Sequence, residues 1–181
     1  MTAVERDDPV PPALNVDVIF EDPRWQDIPD AEETVIRAAR AAFASHGTQA
    51  AETELAVLLT GDDALHEMNR RWRGKDMPTN VLSFPADDVA RAMGHLGDIA
   101  LSCDTLAREA AADAKPLTHH MQHLVIHGVL HLLGFDHMTE TQADAMEALE
   151  RAILAGLGVP DPYATSGAAA GQAAPAGEQA P

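Results

Sequence analysis

The sequence has little cysteine and no long apolar run, and each shortage excludes a class of protein. The single cysteine, Cys103, cannot form a disulfide within the chain. No stretch reaches the roughly 18 uninterrupted apolar residues that a membrane helix needs. Residues 1–12 are acidic and contain prolines but no apolar core, so we do not expect them to act as a signal peptide. These shortages favour a cytoplasmic protein that does not contact a membrane.

Cations are also scarce. The chain has 12 Lys and Arg against 29 Asp and Glu, which gives a formal net charge of −17. Such a charge repels nucleic acid at long range and excludes a protein that coats nucleic acid with its whole surface. Four of the 12 cations nevertheless stand within six positions: Arg70, Arg71, Arg73 and Lys75. They indicate either a solvated helix end, whose cations offset the helix dipole, or a local basic site. Both interpretations stay open.

The hydrophobic periodicity predicts elements in the order β-α-β-α-β-β-α-α-α, which is neither a strict βαβ alternation nor a helix bundle. The order predicts an α+β fold, in which about five helices pack on a small mixed sheet of about four strands. Predicted strands cover residues 13–20, 53–60, 80–85 and 97–102. Predicted helices cover residues 30–45, a short segment after Asp62 or Asp63, residues 104–115, residues 116–133 and a segment that starts at Thr139.

Two of these helices carry local signals. Thr139 and Gln142 have the spacing of a capping box at the start of the last helix. In the short helix after Asp62, apolar and amide side chains fall on or near one face. The residues of this face are Leu65, Met68, Asn69 and Trp72.

Composition divides the chain into three parts. Residues 13–157 carry the predicted elements and are expected to form a single domain. Residues 1–12 are predicted to be a disordered lead-in. Residues 158–181 are rich in Ala, Gly and Pro and lack the apolar mass for a core, so they are predicted to form a disordered tail.

The most informative segment contains three histidines and a glycine. His127 and His131 are four residues apart, so a helix places both imidazoles on one face, one turn apart. Gly134 can end that helix with a positive φ, which allows His137 to approach the same point from outside. Three neutral nitrogens leave a fourth position open on a tetrahedral zinc ion, as in catalytic zinc sites. The spacing therefore predicts one zinc ion held by His127, His131 and His137 on a zincin-like helix.

One position departs from the protease pattern. The spacing matches the metalloprotease pattern H-E-x-x-H-x-x-G-x-x-H, but Gly128 stands where those enzymes have the glutamate that serves as general base. A metalloprotease is therefore the weaker interpretation. The residues alone identify no other general base.

Other polar residues near this segment admit a structural interpretation. His119, His120 and His123 are predicted to be surface or packing histidines rather than ligands. Asp136 is either an acceptor for an imidazole N–H or a residue that turns the loop, and the loop role is favoured. Asn80 and Ser83 are predicted to belong to a strand rather than to donate hydrogen bonds in a cleft.

Three separated blocks of sequence resemble one family. The segments HGVLHLLGFDH (127–137), NRRWRGKDMPTNVLSFP (69–85) and LGDIALS (96–102) are similar to the motifs of the YbeY-type bacterial endoribonucleases, the rRNA maturation factors. The resemblance runs in consistent order over residues 13–157. The lead-in and the tail lie outside it.

The resemblance implies a function as well as a fold. It implies a zinc ion on the three histidines, cleavage of single-stranded RNA, and a role in 16S rRNA 3′-end maturation and ribosome quality control. The implied partners are an rRNA precursor and the small ribosomal subunit, with no role for DNA or a membrane. By the same match, Arg73 falls on an arginine of the family's active cleft and is implied to be catalytic. The alternative is a zinc-stabilised ribosome-assembly factor without catalysis.

Overall fold

The computed structural model describes residues 14–46 and 52–164, which form a four-stranded mixed sheet, six α-helices and a short 3-10 helix at Pro23–Asp27. The predicted α+β class is confirmed. The strands are β1 (Leu14–Phe20), β2 (Thr53–Thr60), β3 (Val81–Pro85) and β4 (His95–Ser102). The helices are α1 (Ala31–His46), α2 (Asp62–Arg73), α3 (Asp88–Ala92), α4 (Cys103–Ala112), α5 (Leu117–Leu132) and α6 (Glu140–Gly156).

Two local expectations differ from the structure. The short helix α3 lies in a stretch without a clear hydrophobic period, where Asp87 caps it by accepting a hydrogen bond from the Ala90 N–H. The helix expected from Asp104 begins one residue earlier, because Ser102 is the N-cap and its hydroxyl accepts from the Thr105 N–H. Such caps act through single side chains, which periodicity does not detect.

The strands lie in the order β1-β2-β4-β3. The first three strands in this order are parallel, and β3 runs antiparallel to β4 at the edge of the sheet. The register between β2 and β4 shifts where Glu54 lies opposite His95 and Leu55 lies opposite Gly97. Gly97 follows this irregularity with a φ of 146°. Because β3 is the last strand in this order, one of its edges is free in the part of the chain that the structure describes.

Different helices pack on the two faces of the sheet. On one face, Val57, Ile99 and Leu101 belong to the main core, which also contains the apolar residues of α1, α5 and α6. On the other face, Leu65 of α2 packs against Leu82 and Ala100. Because successive strand residues point to opposite faces, α2 and α5 cover opposite sides of the sheet.

Helix α5 lies in the middle of the main core. All residues from His120 to Leu132 are buried. A helix that is apolar on nearly every side is expected to be surrounded by protein. The histidines of this helix therefore lie inside the fold rather than on a solvated face.

Helix α6 begins with the predicted capping box. The Thr139 hydroxyl accepts from the Gln142 N–H, and the Gln142 side chain accepts from the Thr139 N–H. These two bonds fix where the chain leaves the loop after His137 and enters α6.

The domain continues past the predicted boundary at residue 157. Val159 is buried, and Lys115 donates from Nζ to the Pro162 carbonyl at 2.8 Å. Composition did not predict these contacts, because the segment is rich in small residues and attaches through single side chains such as Val159 and Tyr163. Residues 1–13 and 165–181, which include the predicted lead-in and most of the predicted tail, lie outside the described residues.

In the two described ranges, no helix is long and apolar enough to cross a membrane.

Gly97→Ala should strongly destabilise the protein. A Cβ at this position would lie 2.5 Å from the Phe84 carbonyl oxygen and 2.8 Å from Leu132 Cδ2, and the residue has a φ of 146°. Overpacking and backbone strain together predict a loss of about 2–4 kcal/mol in the free energy of unfolding, measured with urea. Gly156→Ala is the matched control, because nothing lies within 4 Å of its added Cβ. Equal stability of both variants would contradict the packing described here.

Candidate metal centre

Three histidine side chains converge at the carboxyl end of α5. The ligand atoms of His127, His131 and His137 all lie within 4.8 Å of one another. The ring centroids are 4.5 Å apart for His127 and His131, 5.0 Å apart for His131 and His137, and 5.6 Å apart for His127 and His137. The structure thus brings together the three residues that the sequence spacing selected.

A glycine turn brings the third histidine to the other two. Gly134 has a φ of 99°, a conformation that L side chains rarely adopt. Its N–H donates to the His131 carbonyl, and the Phe135 N–H donates to the Leu130 carbonyl at 3.0 Å. These bonds close the last turn of the helix and reverse the chain. Asp136 then accepts from the His137 N–H, which agrees with the favoured loop role.

Hydrogen bonds on the far side of two rings set their tautomers. The Nδ1 atom of His127 lies 2.6 Å from a carboxylate oxygen of Glu150, and the Nδ1 atom of His131 lies 2.9 Å from the Phe135 carbonyl oxygen. Both partners accept hydrogen bonds, so each Nδ1 carries the proton and each Nε2 keeps its lone pair. The two Nε2 atoms face each other at 2.9 Å. Two lone pairs at that distance repel unless a cation or a proton lies between them.

The third ring completes a set of donors that fits a divalent metal. His137 Nε2 is buried and has no hydrogen-bond partner in the part of the chain that the structure describes. A buried polar atom without a partner is costly, and a metal ion would satisfy it. Bonds of 2.0–2.1 Å to a tetrahedral zinc ion separate ligand nitrogens by about 3.3 Å, so small ring movements would suffice. Imidazole ligands suit zinc and its neighbours in the first transition row.

The protonation state of His131 also suits a ligand. Burial, together with the charges of His127 and His137, lowers the pKa of His131 to about 4. A ligand nitrogen must be unprotonated to bind a metal. His131 therefore presents its lone pair at neutral pH without first losing a proton.

Glu150 of α6 is the main residue that sequence reasoning missed. Its side chain is 0% exposed and accepts from His127, from His123 Nε2 at 2.9 Å, and from the Tyr163 hydroxyl. Burial alone would raise the pKa of Glu150, but the hydrogen bonds from the two histidines lower it well below its usual range. The group is thus a buried anion beside the three imidazoles, and it offsets part of the charge of a bound cation.

A signal for Glu150 does exist in the sequence. Position 150 lies four residues after Met146 and four before Leu154, both of which are buried. A carboxylate in the middle of an apolar helical stripe needs a partner inside the fold. The stripe alone does not say which residue provides that partner.

Tyr163 completes the surroundings of this carboxylate. Burial raises the pKa of the Tyr163 phenol, and the adjacent Glu150 charge raises it further. The hydroxyl therefore stays protonated and donates its hydrogen to the carboxylate. Arg151 lies over the Tyr163 ring at 4.9 Å, which holds the ring in place.

Two of the other three histidines of α5 have structural partners. His120 Nε2 lies 2.7 Å from a Glu109 carboxylate oxygen, and His123 shares Glu150 with His127. Both side chains are buried, whereas His119 is half-buried. The histidine group that could hold a metal contains none of the three.

Gly128 faces the sheet. A Cβ added there would lie 2.9 Å from Ile99 Cδ1 and 3.2 Å from the Ser83 hydroxyl oxygen. A larger residue would push α5 away from β3 and β4. The close approach of helix and sheet thus explains the glycine at the position where proteases have a glutamate.

The remaining predicted residues lie nearer to β3. Asn80 donates to the Glu109 carboxylate at 3.0 Å, and the Ser83 hydroxyl donates to the Gly128 carbonyl at 3.4 Å. Arg73 is the last residue of α2, where it is half-buried and donates to the Asn69 side-chain oxygen at 3.4 Å. It lies on α2, which covers the opposite face of the sheet from α5. Its side chain would therefore have to reach past the edge strand β3 to approach the histidines.

Comparison with known proteins gives a consistent result. The family model described as endoribonuclease YbeY matches residues 20–158. A protein from Azorhizobium caulinodans named endoribonuclease YbeY is 49% identical over 154 residues, which cover 83% of this chain and 97% of that protein. A protein of the same name from Rhodopseudomonas palustris strain BisA53 is 50% identical over 163 residues, which cover 86% of this chain and 92% of that protein.

One solved structure is also similar. The solution structure of a Thermotoga maritima protein aligns with 86% of this chain and 100% of its own, at 20% sequence identity and a TM-score of 0.49.

Glu150→Gln should weaken zinc binding by about tenfold or more, because loss of an outer partner of a ligand typically costs that much in metal affinity. Competition with a chromophoric chelator measures the affinity. Glu109→Gln is the matched control, since it alters a second carboxylate that contacts a histidine of the same helix. Wild-type affinity in Glu150→Gln would show that the carboxylate does not support the centre.

Proposed function

The chain belongs to the endoribonuclease YbeY family, and we propose that it is a zinc-dependent endoribonuclease that cleaves single-stranded RNA at the three-histidine centre. We propose further that it acts on an rRNA precursor and the small ribosomal subunit, in 16S rRNA 3′-end maturation and ribosome quality control. The proposed location is the cytoplasm, and the proposed substrate is RNA rather than DNA.

The observation that carries the zinc proposal is that one ligand nitrogen from each of the three histidines lies within 4.8 Å of the other two. A divalent ion bound there would act as a Lewis acid toward a phosphate oxygen and would lower the pKa of a water molecule. The protein's own contribution is to hold the rings. Glu150 keeps the proton of His127 on Nδ1, and the Phe135 carbonyl does the same for His131.

Hydrolysis of peptides is not part of the proposal. Gly128 packs against Ile99 and Ser83, so this position has no room for the glutamate base that the proteases use. Both relatives described above are named endoribonuclease, which favours RNA as the substrate.

The role proposed for Arg73 rests on the family resemblance. A guanidinium group presents several N–H donors in one plane, and it can grip a phosphate and stabilise negative charge that develops during cleavage. Its neighbours in the basic segment at the end of α2 would guide an RNA strand, even though the chain as a whole carries a net charge of −17.

His131→Ala should lose most of the bound zinc, because one of three ligands is removed and two imidazoles hold the ion far less tightly. Elemental analysis of the purified protein measures the metal content. A metal content equal to that of the wild type would contradict the proposed site.

Removal of the metal from the wild-type protein should abolish cleavage of a precursor rRNA fragment, and zinc should restore it. His127→Ala is the control that should stay inactive after zinc is added. RNA binding without any cleavage in the zinc-loaded wild type would instead favour the assembly-factor alternative, and digestion of casein would favour a protease.

Arg73→Ala should reduce the rate of RNA cleavage by about 100-fold, by analogy with the loss of one charge-stabilising donor from an active site. Zinc content and the free energy of unfolding should stay unchanged. Arg73→Lys keeps the charge without the planar set of donors and should recover only part of the rate. Full activity of Arg73→Ala would rule out the catalytic role.

A further inference from the structure

Trp72 is an exposed tryptophan on the last turn of α2. Its side chain is 56% exposed, whereas Trp25 is fully buried. Helical spacing places Trp72 on or near the same face as Leu65 and Asn69, and those two residues are buried. Packing of α2 on the sheet therefore does not account for the tryptophan at position 72.

The Trp72 ring lies among cations. The Arg71 guanidinium lies over it, 5.2 Å from the ring centroid. Arg70, Arg73 and Lys75 are neighbours in sequence, so four of the chain's 12 cations lie within three positions of one of its two tryptophans. Arg70 pairs with Glu67 at 2.9 Å, which leaves the segment basic on balance.

A buried asparagine holds the loop after α2 against the helix. Gly74 ends the helix with a φ of 65°, and the Lys75 N–H donates to the Asn69 carbonyl at 3.2 Å. The Asn69 side chain also donates to the Met77 carbonyl at 2.8 Å. Met77 itself is 57% exposed. The bonds of Asn69 thus hold the backbone of this loop against α2, next to the exposed Trp72 and Met77 side chains.

This end of α2 leads toward the metal centre. The loop enters β3 at Val81, and Ser83, two residues further, contacts Gly128 beside His127. Two strand residues span only about 7 Å. The end of α2 is therefore joined, through the loop at residues 74–80, to the edge strand that contacts the histidine helix.

We propose that the end of α2, formed by Arg71, Trp72, Arg73 and Lys75, is a stacking platform for single-stranded RNA. One unpaired base stacks on the Trp72 ring, and the adjacent cations contact the phosphates on either side of that base. Aromatic rings between cations are the usual means by which proteins hold single strands without reading their sequence. The acidic remainder of the surface repels the strand and directs it to this end. The proposal rests on RNA cleavage as the proposed function.

Intrinsic fluorescence tests the platform directly, because Trp25 is fully buried and Trp72 is the other tryptophan of the chain. Short single-stranded RNA is mixed with the zinc-loaded, full-length protein, and the emission is recorded in stopped flow before cleavage. Stacking on Trp72 should quench the emission in a saturable way. Duplex RNA of the same sequence should bind more weakly, because its bases are already stacked.

Trp72→Ala should lower the affinity for single-stranded RNA by about tenfold, measured by anisotropy of labelled RNA, and Trp72→Phe should recover most of it. Zinc content and stability should not change in either variant. Met93→Ala, which alters an 84% exposed methionine elsewhere on the surface, is the control and should bind like the wild type.

Wild-type affinity in Trp72→Ala, or equal binding of single-stranded and duplex RNA, would overturn the platform while leaving cleavage by the wild type intact. Failure of the proposed function gives a different result, since the zinc-loaded wild type would then not cleave RNA at all.

Discussion

The burial of α5 is the constraint on which the candidate metal centre depends. This helix lies between the sheet and helices α1 and α6, so its imidazoles cannot be satisfied by bulk water. Each buried ring nitrogen must find a partner inside the fold, and most of them do. The Glu150 carboxylate and the Phe135 carbonyl take the Nδ1 protons of two rings. What is left is a set of Nε2 lone pairs that point at one another, and a cation is the natural partner for such a set.

The sequence predicted those parts of the centre that depend on local geometry. The spacing of His127, His131 and Gly134 selects one helix face and one turn, whatever the rest of the fold does. Glu150 could not be found in this way, because it contacts His127 across 23 positions of sequence and only the packing of α6 on α5 brings them together. Composition likewise hid the attachment of Tyr163, which lies in a segment rich in small residues.

Helical spacing likewise did not reveal the environment of Trp72. Spacing shows which side of a helix a residue occupies, but it does not show how far the neighbouring sheet extends. Leu65, near the start of α2, packs on Leu82 and Ala100, whereas the last turn of the helix carries an exposed ring. Cations and an exposed aromatic side chain thus lie together on the last turn of α2 in a strongly acidic chain. This combination could be recognised only after the burial of each residue was known.

The attachment of Tyr163 to Glu150 has a consequence for how the molecule is made. All three candidate ligands precede residue 138, but the carboxylate and the phenol that orient His127 come at positions 150 and 163. A growing chain that has just completed α5 and its turn already contains every ligand but lacks both supporting groups. The order of synthesis therefore delays an ordered centre until nearly the whole domain has been translated and Tyr163 has packed against Glu150 of α6.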